Sequence, residues 1–508
     1  MKKISSFLSR SLVLLLLCVL SLSVVSVKAQ RYPNPKREFR GAWIQCVNGQ
    51  YLGKSPAELR QMLSSQLDVL KKAGINAILF QVRAEGDALY KSSYEPWSRY
   101  LTGQQGLAPA EGWDPLEWMV NQCHERGMEI HAWINPYRAK TKGTREMATN
   151  HYCIKHPDRY FQYGDLFIFN PALESNRMYT CMVIEDIITR YNVDGLHMDD
   201  YFYPYPENGI ELPDRAFFEA DPRGFSDIND WRRDNVNLLI RDIHNLIRMV
   251  RPWVKFGISP FGIYRNSPDG VNNEKGSATA GRQNYDDLYA DVVLWQEKGW
   301  VDYLIPQIYW NIGTKVADYD VLCHWWNDYC GNRPLFIGQD VERTVKGIDP
   351  NDPSSHQMRA KYNLQRSLPN VKGSCQWYAT AVVNNPGNYR SVLEQEYHSY
   401  PALQPEMKFI DAKAPKKPVR PRMRLRYGEV IIEWKAPKAK KEMDKAINYV
   451  VYRFERGQNP DINNPANILT ITPSTYVVLN DGNDPYKYTY LVTALDHTHN
   501  ESKVAKVK

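Results

Sequence analysis

The sequence predicts an α/β fold, a (β/α)8 TIM barrel, followed by a small all-β sandwich. Three observations predict it. Between about residues 38 and 381, amphipathic helices alternate with short apolar strands, the order that gives parallel pairing with right-handed crossovers. Eight strand-like runs fall in that stretch, the number that closes this kind of barrel. After Pro401 the texture changes to short β-rich runs separated by turn residues, the pattern of an antiparallel sandwich. A chain of 508 residues also exceeds what one hydrophobic core organises, so two domains are expected.

The elements follow in order. Lys2, Lys3 and Arg10 precede an apolar run over 12–27, and Val27-Lys28-Ala29 offers small residues for cleavage. Residues 1–29 therefore read as a signal peptide, leaving an exported protein, periplasmic or secreted. Cys18 follows Leu16-Leu17, where a lipid-attachment signal would want small residues. No later run approaches the roughly 18 apolar residues of a membrane helix, so no transmembrane segment is expected.

The barrel is expected over 35–400. Ser55, Pro56 and Glu58 form a capping box with proline in the first turn, and Leu59, Met62, Leu63, Leu67 and Leu70 keep helical spacing until Gly74. Asp114, Pro115 and Glu117 repeat that start, Leu116, Met119, Val120 and Cys123 the apolar face, and Gly127 the stop. Strands are expected at 39–46, 77–83, 129–135, 195–199, 255–260, 303–309, 335–339 and 374–378. Long insertions at 137–165, 201–226 and 264–284 follow strand ends, the face on which this fold builds sites. Residues 401–421 read as a Pro/Lys-rich linker. Residues 422–508 read as the sandwich, which resembles a fibronectin type III domain, with Trp434 early and Tyr488 and Tyr490 late.

Composition narrows function. Hydrophobic residues at 43% and charged residues at 24% are ordinary for a folded protein. Aromatics are rich, with 14 Trp and 33 Tyr, flat faces with polar tips that suit stacking on sugar rings as well as core filling. The net charge of +7 gathers in 413–426 and 435–445, with no nucleic-acid module around it; attraction to an acidic envelope polymer is the residual reading, by docking through the C-terminal domain. Seven cysteines follow Cys18, an odd number without zinc spacing. Cys323 and Cys330 are close enough in sequence to suggest a local disulfide. No Gly-rich phosphate loop follows the first strand, and neither a cofactor nor a metal is expected.

Strand parity then separates the barrel interior from its helix-facing side. His197 and Asp199 share one parity, with Tyr201 next; Gln81, Arg83 and Glu85 share another; so do His131, Trp133 and Asn135, Trp43 and Gln45, and Gln307 and Tyr309. An interior that served packing alone would be Val, Ile and Leu. Cleaving a glycosidic bond takes a carboxylic acid to protonate the leaving oxygen and usually a second carboxylate. Asp199 and Asp200 lead, with Asp199 favoured by parity; Glu85 and Asp87 after strand two, and Asp340 and Glu342 after strand seven, are the other acids. The catalytic candidates are thus Asp199, Asp200, Glu85 and Asp340. Substrate contacts are expected from Gln45, Arg83, Asp87, His131, Asn135, His197, Tyr201, Gln307, Tyr309 and Trp377.

Five motifs lie along this chain: Arg40-Gly-Ala-Trp43; Gln81-Val-Arg83 with Gly86-Asp-Ala-Leu-Tyr90; His131-Ala-Trp-Ile-Asn-Pro-Tyr-Arg138; Asp194-Gly-Leu-His-Met-Asp-Asp-Tyr-Phe-Tyr-Pro204; and Pro306-Gln-Ile-Tyr-Trp310. In this order, over roughly residues 35–385, the chain resembles the glycoside-hydrolase-like family 10 barrel proteins. The resemblance implies a hydrolase of the bacterial envelope, some of whose relatives act on peptidoglycan glycan strands stripped of peptides, and site roles for Asp87, His131, Asn135, Asp199, Asp200, Gln307 and Tyr309. The leading reading is a glycosidase acting on a polysaccharide or glycan strand. The alternatives are a carbohydrate-binding barrel without catalysis, and a metal-dependent deacetylase using His131, His197 and Asp199.

Overall fold

Short parallel strands whose side chains are buried on both faces need a sheet covered on both sides, as in open or closed α/β folds. The computed structural model describes residues 32–267 and 275–508; the expected signal peptide lies outside the described residues. From Asn34 onward the chain forms one unit. Its barrel strands are β1 (Phe39–Ile44), β2 (Ala77–Arg83), β3 (Glu129–Ile134), β4 (Gly195–Met198), β5 (Lys255–Ile258), β6 (Tyr303–Leu304), β7 (Leu335–Asp340) and β8 (Val371–Trp377). They close in the order β1-β8-β7-β6-β5-β4-β3-β2, every neighbour parallel. β6 is shorter than its apolar run because Pro306 has no N–H to give a ladder; Gln307 still bridges Phe261 and Gly338.

Eight helices cover the ring: α1 (Pro56–Lys72), α2 (Pro115–Glu125), α3 (Glu174–Arg190), α4 (Ile228–Val250), α5 (Val292–Glu297), α6 (Tyr319–Tyr329), α7 (Met358–Ser367) and α8 (Ala379–Asn384). The reciprocal capping box at Ser55 and Glu58 forms as expected, and Asp114 caps α2. Inside the ring, Phe39 stacks on Phe336 with centroids 4.1 Å apart, and Trp43, Leu79, Trp133, Tyr303 and Cys375 fill the rest. Two close approaches need glycine. A Cβ on Gly257 would lie 1.9 Å from the Tyr303 ring, and one on Gly195 would lie 2.6 Å from His131 Nδ1.

The insertion after β3 folds back as a three-stranded antiparallel sheet with Leu166–Phe169 between Arg138–Lys140 and Tyr160–Tyr163. The C-terminal strands are β9 (Val419–Arg426), β10 (Glu429–Lys435), β11 (Asn448–Glu455), β12 (Ile468–Thr472), β13 (Tyr476–Val478), β14 (Tyr488–Leu495) and β15 (Ala505–Lys506). They make two sheets, β9-β10-β13 and β12-β11-β14-β15, antiparallel throughout, with Trp434 and Tyr490 in the core between them. The stretch read as linker is more structured than its composition suggested. Leu403 and Met407 are buried, the Glu38 N–H donates to the Leu403 carbonyl at 2.8 Å, and β9 begins within it at Val419.

The suggested Cys323–Cys330 disulfide does not form: both are free thiols, as are the other five described cysteines. Cys323 lies within α6 and Cys330 caps its end. Seven residues of helix separate them by about 10 Å along the axis, beyond the reach of a disulfide. Among the described residues, no helix is long and apolar enough to cross a membrane.

Candidate active site

The carboxylates of Asp199 and Asp200 stand just past the end of β4, both nearly without solvent exposure. Trp133 Nε1 donates to Asp199 Oδ2 at 3.1 Å, and Asn135 Nδ2 donates to the same oxygen. Asp200 accepts from the Tyr205 hydroxyl and from Gln307 Nε2 at 2.9 Å. Burial raises both acids. Asp199 reaches about 7 because burial is reinforced by the charge of Asp200, the Arg138 charge opposing it. The hydrogen bonds of Tyr205 and Gln307 work the other way on Asp200. Of the two, Asp199 therefore keeps its proton to the higher pH, and Asp200 is the one that ionises first.

Half-buried aromatic rings surround this pair: Tyr201, Tyr205, Phe261, Tyr309, Trp310 and Trp377. Tyr201 stacks on Tyr205 at 5.3 Å, Trp377 on Tyr309 at 6.1 Å, and Phe261 meets Trp310 edge-on at 5.5 Å. The Arg138 guanidinium lies 3.9 Å from the centre of the Tyr201 ring. A mouth of flat rings around one protonated and one ionised carboxylate can stack a sugar and hand a proton to its glycosidic oxygen.

The other expected residues divide into three groups. Asn135 and Gln307 touch the acid pair, and Tyr201, Tyr309 and Trp377 belong to the aromatic mouth. Gln45 is buried at the end of β1, its carbonyl accepting from the Tyr51 hydroxyl at 3.3 Å. His131 and His197 point inward as parity requires but lie deep in the barrel, at 1% and 0% exposure. Parity fixes direction and not height, and Trp43 and Trp133 fill the level above them. His131 Nδ1 is 2.6 Å from the Tyr303 hydroxyl, His197 Nδ1 is 3.2 Å from it, and Trp43 Nε1 donates to His197 Nε2. Burial holds His197 well below its ordinary range and so neutral. The two histidines thus do not gather on Asp199, and among the described residues no three His, Cys, Asp or Glu side chains are grouped as ligands.

The third group departs from its expected position. A bulge between Gln81 and Arg83 breaks the β2–β3 register and turns Arg83 out of the interior. Arg83 pairs instead with Glu95 at 2.7 Å and donates to the Asn135 carbonyl at 2.5 Å. Glu85, past the bulge, is enclosed by Arg99, Tyr100, Thr141 and Thr144. Burial would raise it, but the hydrogen bonds of Arg99, Thr141 and Thr144 outweigh burial and hold it below the usual carboxylate range. Asp87, beside it, accepts from Gln105 and the Glu85 N–H; burial and the Glu85 charge push it up to about 6. Asp340 caps a one-and-a-half-turn helix through the Arg343 N–H. Glu85 and Asp340 are therefore both engaged in local hydrogen bonds, Asp340 at the rim of the mouth, where its register partner is Trp377.

Trp133, Arg138 and Tyr205 were absent from the expected contacts. Trp133 shares parity with Asn135, and Tyr205 directly follows a quoted motif, so both signals were present in the sequence. Arg138 ends the motif that begins at His131, and it reaches the site as the first residue of the insertion's hairpin, which spacing alone does not reveal.

The profile of the family described as Glycosyl hydrolase-like 10 matches residues 38–353. The chain belongs to that family. Its likeness to the protein named Glycosyl hydrolase YngK of Bacillus subtilis (strain 168) is 38% identity over 497 residues, covering 95% of each chain. Glycosyl hydrolase DigH of Escherichia coli (strain K12) is 38% identical over 332 residues, 62% of this chain and 74% of that protein. Among solved structures, the PgaB (BpsB) glycoside hydrolase domain from Bordetella bronchiseptica covers 71% of this chain and 99% of that one, at 12% identity and a TM-score of 0.45. As a member of the Glycosyl hydrolase-like 10 family with a closed parallel barrel, the chain has a glycoside-hydrolase-like role, and the acid pair ends β4 inside the matched segment.

Proposed function

We propose that the protein is a glycosidase that cleaves β-linked, N-acetylated amino-sugar polymers, with peptide-free peptidoglycan strands as the leading substrate. One observation carries this reading: a buried carboxyl raised to about 7, Asp199, adjoins the ionised Asp200 at the floor of an aromatic mouth. Asp199 donates its proton to the glycosidic oxygen as the C1–O bond breaks. With Glu85 held by Arg99, Thr141 and Thr144 and Asp340 capping a helix, the reading gives the attack on C1 to the substrate's acetamido oxygen. Asp200, held by Gln307 and Tyr205, orients that acetamido group and balances the positive charge that develops. Asp199, now ionised, then takes a proton from the water that opens the cyclic intermediate.

The same reading assigns residues 1–29 as a cleaved export signal and the two-sheet C-terminal domain as fibronectin type III-like, spacing or docking the barrel at the envelope. N-terminal sequencing of exported protein should begin at Gln30. The decisive experiment incubates the protein with peptide-free glycan strands and follows new reducing ends. Wild type should release them, and Asp199→Asn should bind the strands without releasing any. Saturable binding with no reducing ends from wild type would instead mark a non-catalytic carbohydrate-binding barrel, and release of acetate a deacetylase.

A further inference from the structure

The floor of the barrel is closed by the C-terminal domain. The turn 496–500 is held rigid by Asp496, which accepts from the Thr498 and Asn500 N–H groups at 2.9 Å each. It is docked by Asn500 Nδ2 on the Asp411 carbonyl, by Arg37 on the His499 carbonyl at 3.0 Å, and by His497 stacked on Trp253 at 5.4 Å. His499 takes a left-handed φ of 63°, which aims its ring into the floor; Nε2 lies 2.8 Å from Glu129 Oε1, in close polar contact but off the line of a hydrogen bond. Glu129, the first residue of β3, also binds the Lys255 ammonium.

From there a run of polar contacts climbs the barrel axis. Glu129 Oε2 is 3.1 Å from His131 Nε2, and His131 Nδ1 meets the Tyr303 hydroxyl, which meets His197 Nδ1. His197 Nε2 lies 3.0 Å from Ser259 Oγ, the Ser259 carbonyl accepts from Gln307 Nε2 at 2.8 Å, and that same nitrogen donates to Asp200. Donor chemistry orders the lower part of the run, from His197 to Glu129, while Gln307 donates both to the Ser259 carbonyl and to Asp200. Trp43 Nε1–H can only donate, so His197 Nε2 accepts and Nδ1 carries the proton. The Tyr303 hydroxyl then accepts from His197 and donates to His131 Nδ1, leaving His131 Nε2–H for Glu129.

We propose that His499 is a positioning residue for the acid pair: the C-terminal domain completes the barrel floor and, through this run, holds Gln307 and Asp200 in register. The proposal rests on Asp199 and Asp200 being the catalytic pair, so its test has one arm that needs no turnover. Long-range ¹⁵N–¹H spectra of histidine-labelled full-length protein should show His197 as the Nδ1–H tautomer and His131 as Nε2–H. His499→Ala should shift both sets of signals, and His499→Gln, which keeps an N–H donor, should restore them. Unchanged His131 and His197 signals in His499→Ala would overturn the proposal, whatever the variant's stability.

The second arm reads catalysis on the same glycan strands. His499→Ala should lower kcat roughly 10-fold with little change in KM, and His499→Gln should recover it. Tyr303→Phe removes one hydroxyl in mid-run and should cost a similar factor, and the double variant should lose no more than either single one. Independent losses that multiply in the double variant would overturn it. Should His499→Ala fail to fold, His499→Asn, whose shorter side chain withdraws from Glu129, carries both arms against His499→Gln, and unchanged His131 and His197 signals in it would overturn the proposal. A wild type without turnover would sink the proposed function and leave the spectroscopic arm to decide this one.

Discussion

The behaviour of Asp199 follows from where its proton sits. A carboxyl that keeps its proton to about pH 7 serves as an acid below that pH and fails above it, so kcat/KM should fall as pH rises through about 7. The Asp200 charge contributes to that position, second only to burial. Asp200→Asn should therefore move the alkaline limb of the residual activity to lower pH, and an unmoved limb would detach it from Asp199. Stability gives an independent check. The unfolded carboxyl ionises near pH 4 and the folded one near 7, so the folded state binds more protons between them and stability declines as pH rises across that window. Asp199→Asn removes the decline. It should gain on the order of 2–4 kcal/mol over wild type at pH 8 and little at pH 4, read by thermal or denaturant unfolding, while losing turnover.

At the scale of strands and helices, the sequence made the ring legible because each unit states its own start and stop. Ser55 and Asp114 cap, Gly74 and Gly127 terminate, and the strands between are buried on both faces. Parity pointed to Asp199, Asn135 and Gln307, which stand just past the ends of their strands, and gave less weight to Asp200, which meets Gln307 all the same. It failed at Arg83 and Glu85 because one extra residue in β2 changes which face follows, and a bulge leaves no compositional mark. It also could not give depth, so His131 and His197 read like mouth residues while lying beneath a tryptophan level. The glycines of β4 and β5 mark that level. Gly257→Ala would place a methyl inside the Tyr303 ring, and a loss of at least about 3 kcal/mol, or of soluble protein, is expected; a thermal melt within a degree of wild type would mean that the Tyr303 ring can swing aside.

For the molecule as a whole, the C-terminal domain behaves as part of the barrel. Met407 enters the interior cluster with Phe39 and Phe336, and Lys36 pairs with Glu501 at 2.6 Å across the seam. Composition hid this, because a Pro/Lys-rich stretch reads as a spacer whichever surface it lies on. Ending the chain at residue 400 should leave Met407's place in the floor open and Glu129 without His499, lowering the melting temperature by roughly 10 °C or more. An unchanged melting temperature would make the domain a mere appendage.

The seven thiols of the described residues carry a practical consequence. Six are buried and one, Cys181, is partly so, and all belong to the barrel. Each can be capped only when its surroundings open. Timed alkylation read by peptide mass would thus report, position by position, how often each opens. Cys375 would report on the axis, Cys46 on the second-strand edge of the mouth, and Cys123 on the outer shell. No label need be engineered into the chain to watch it breathe.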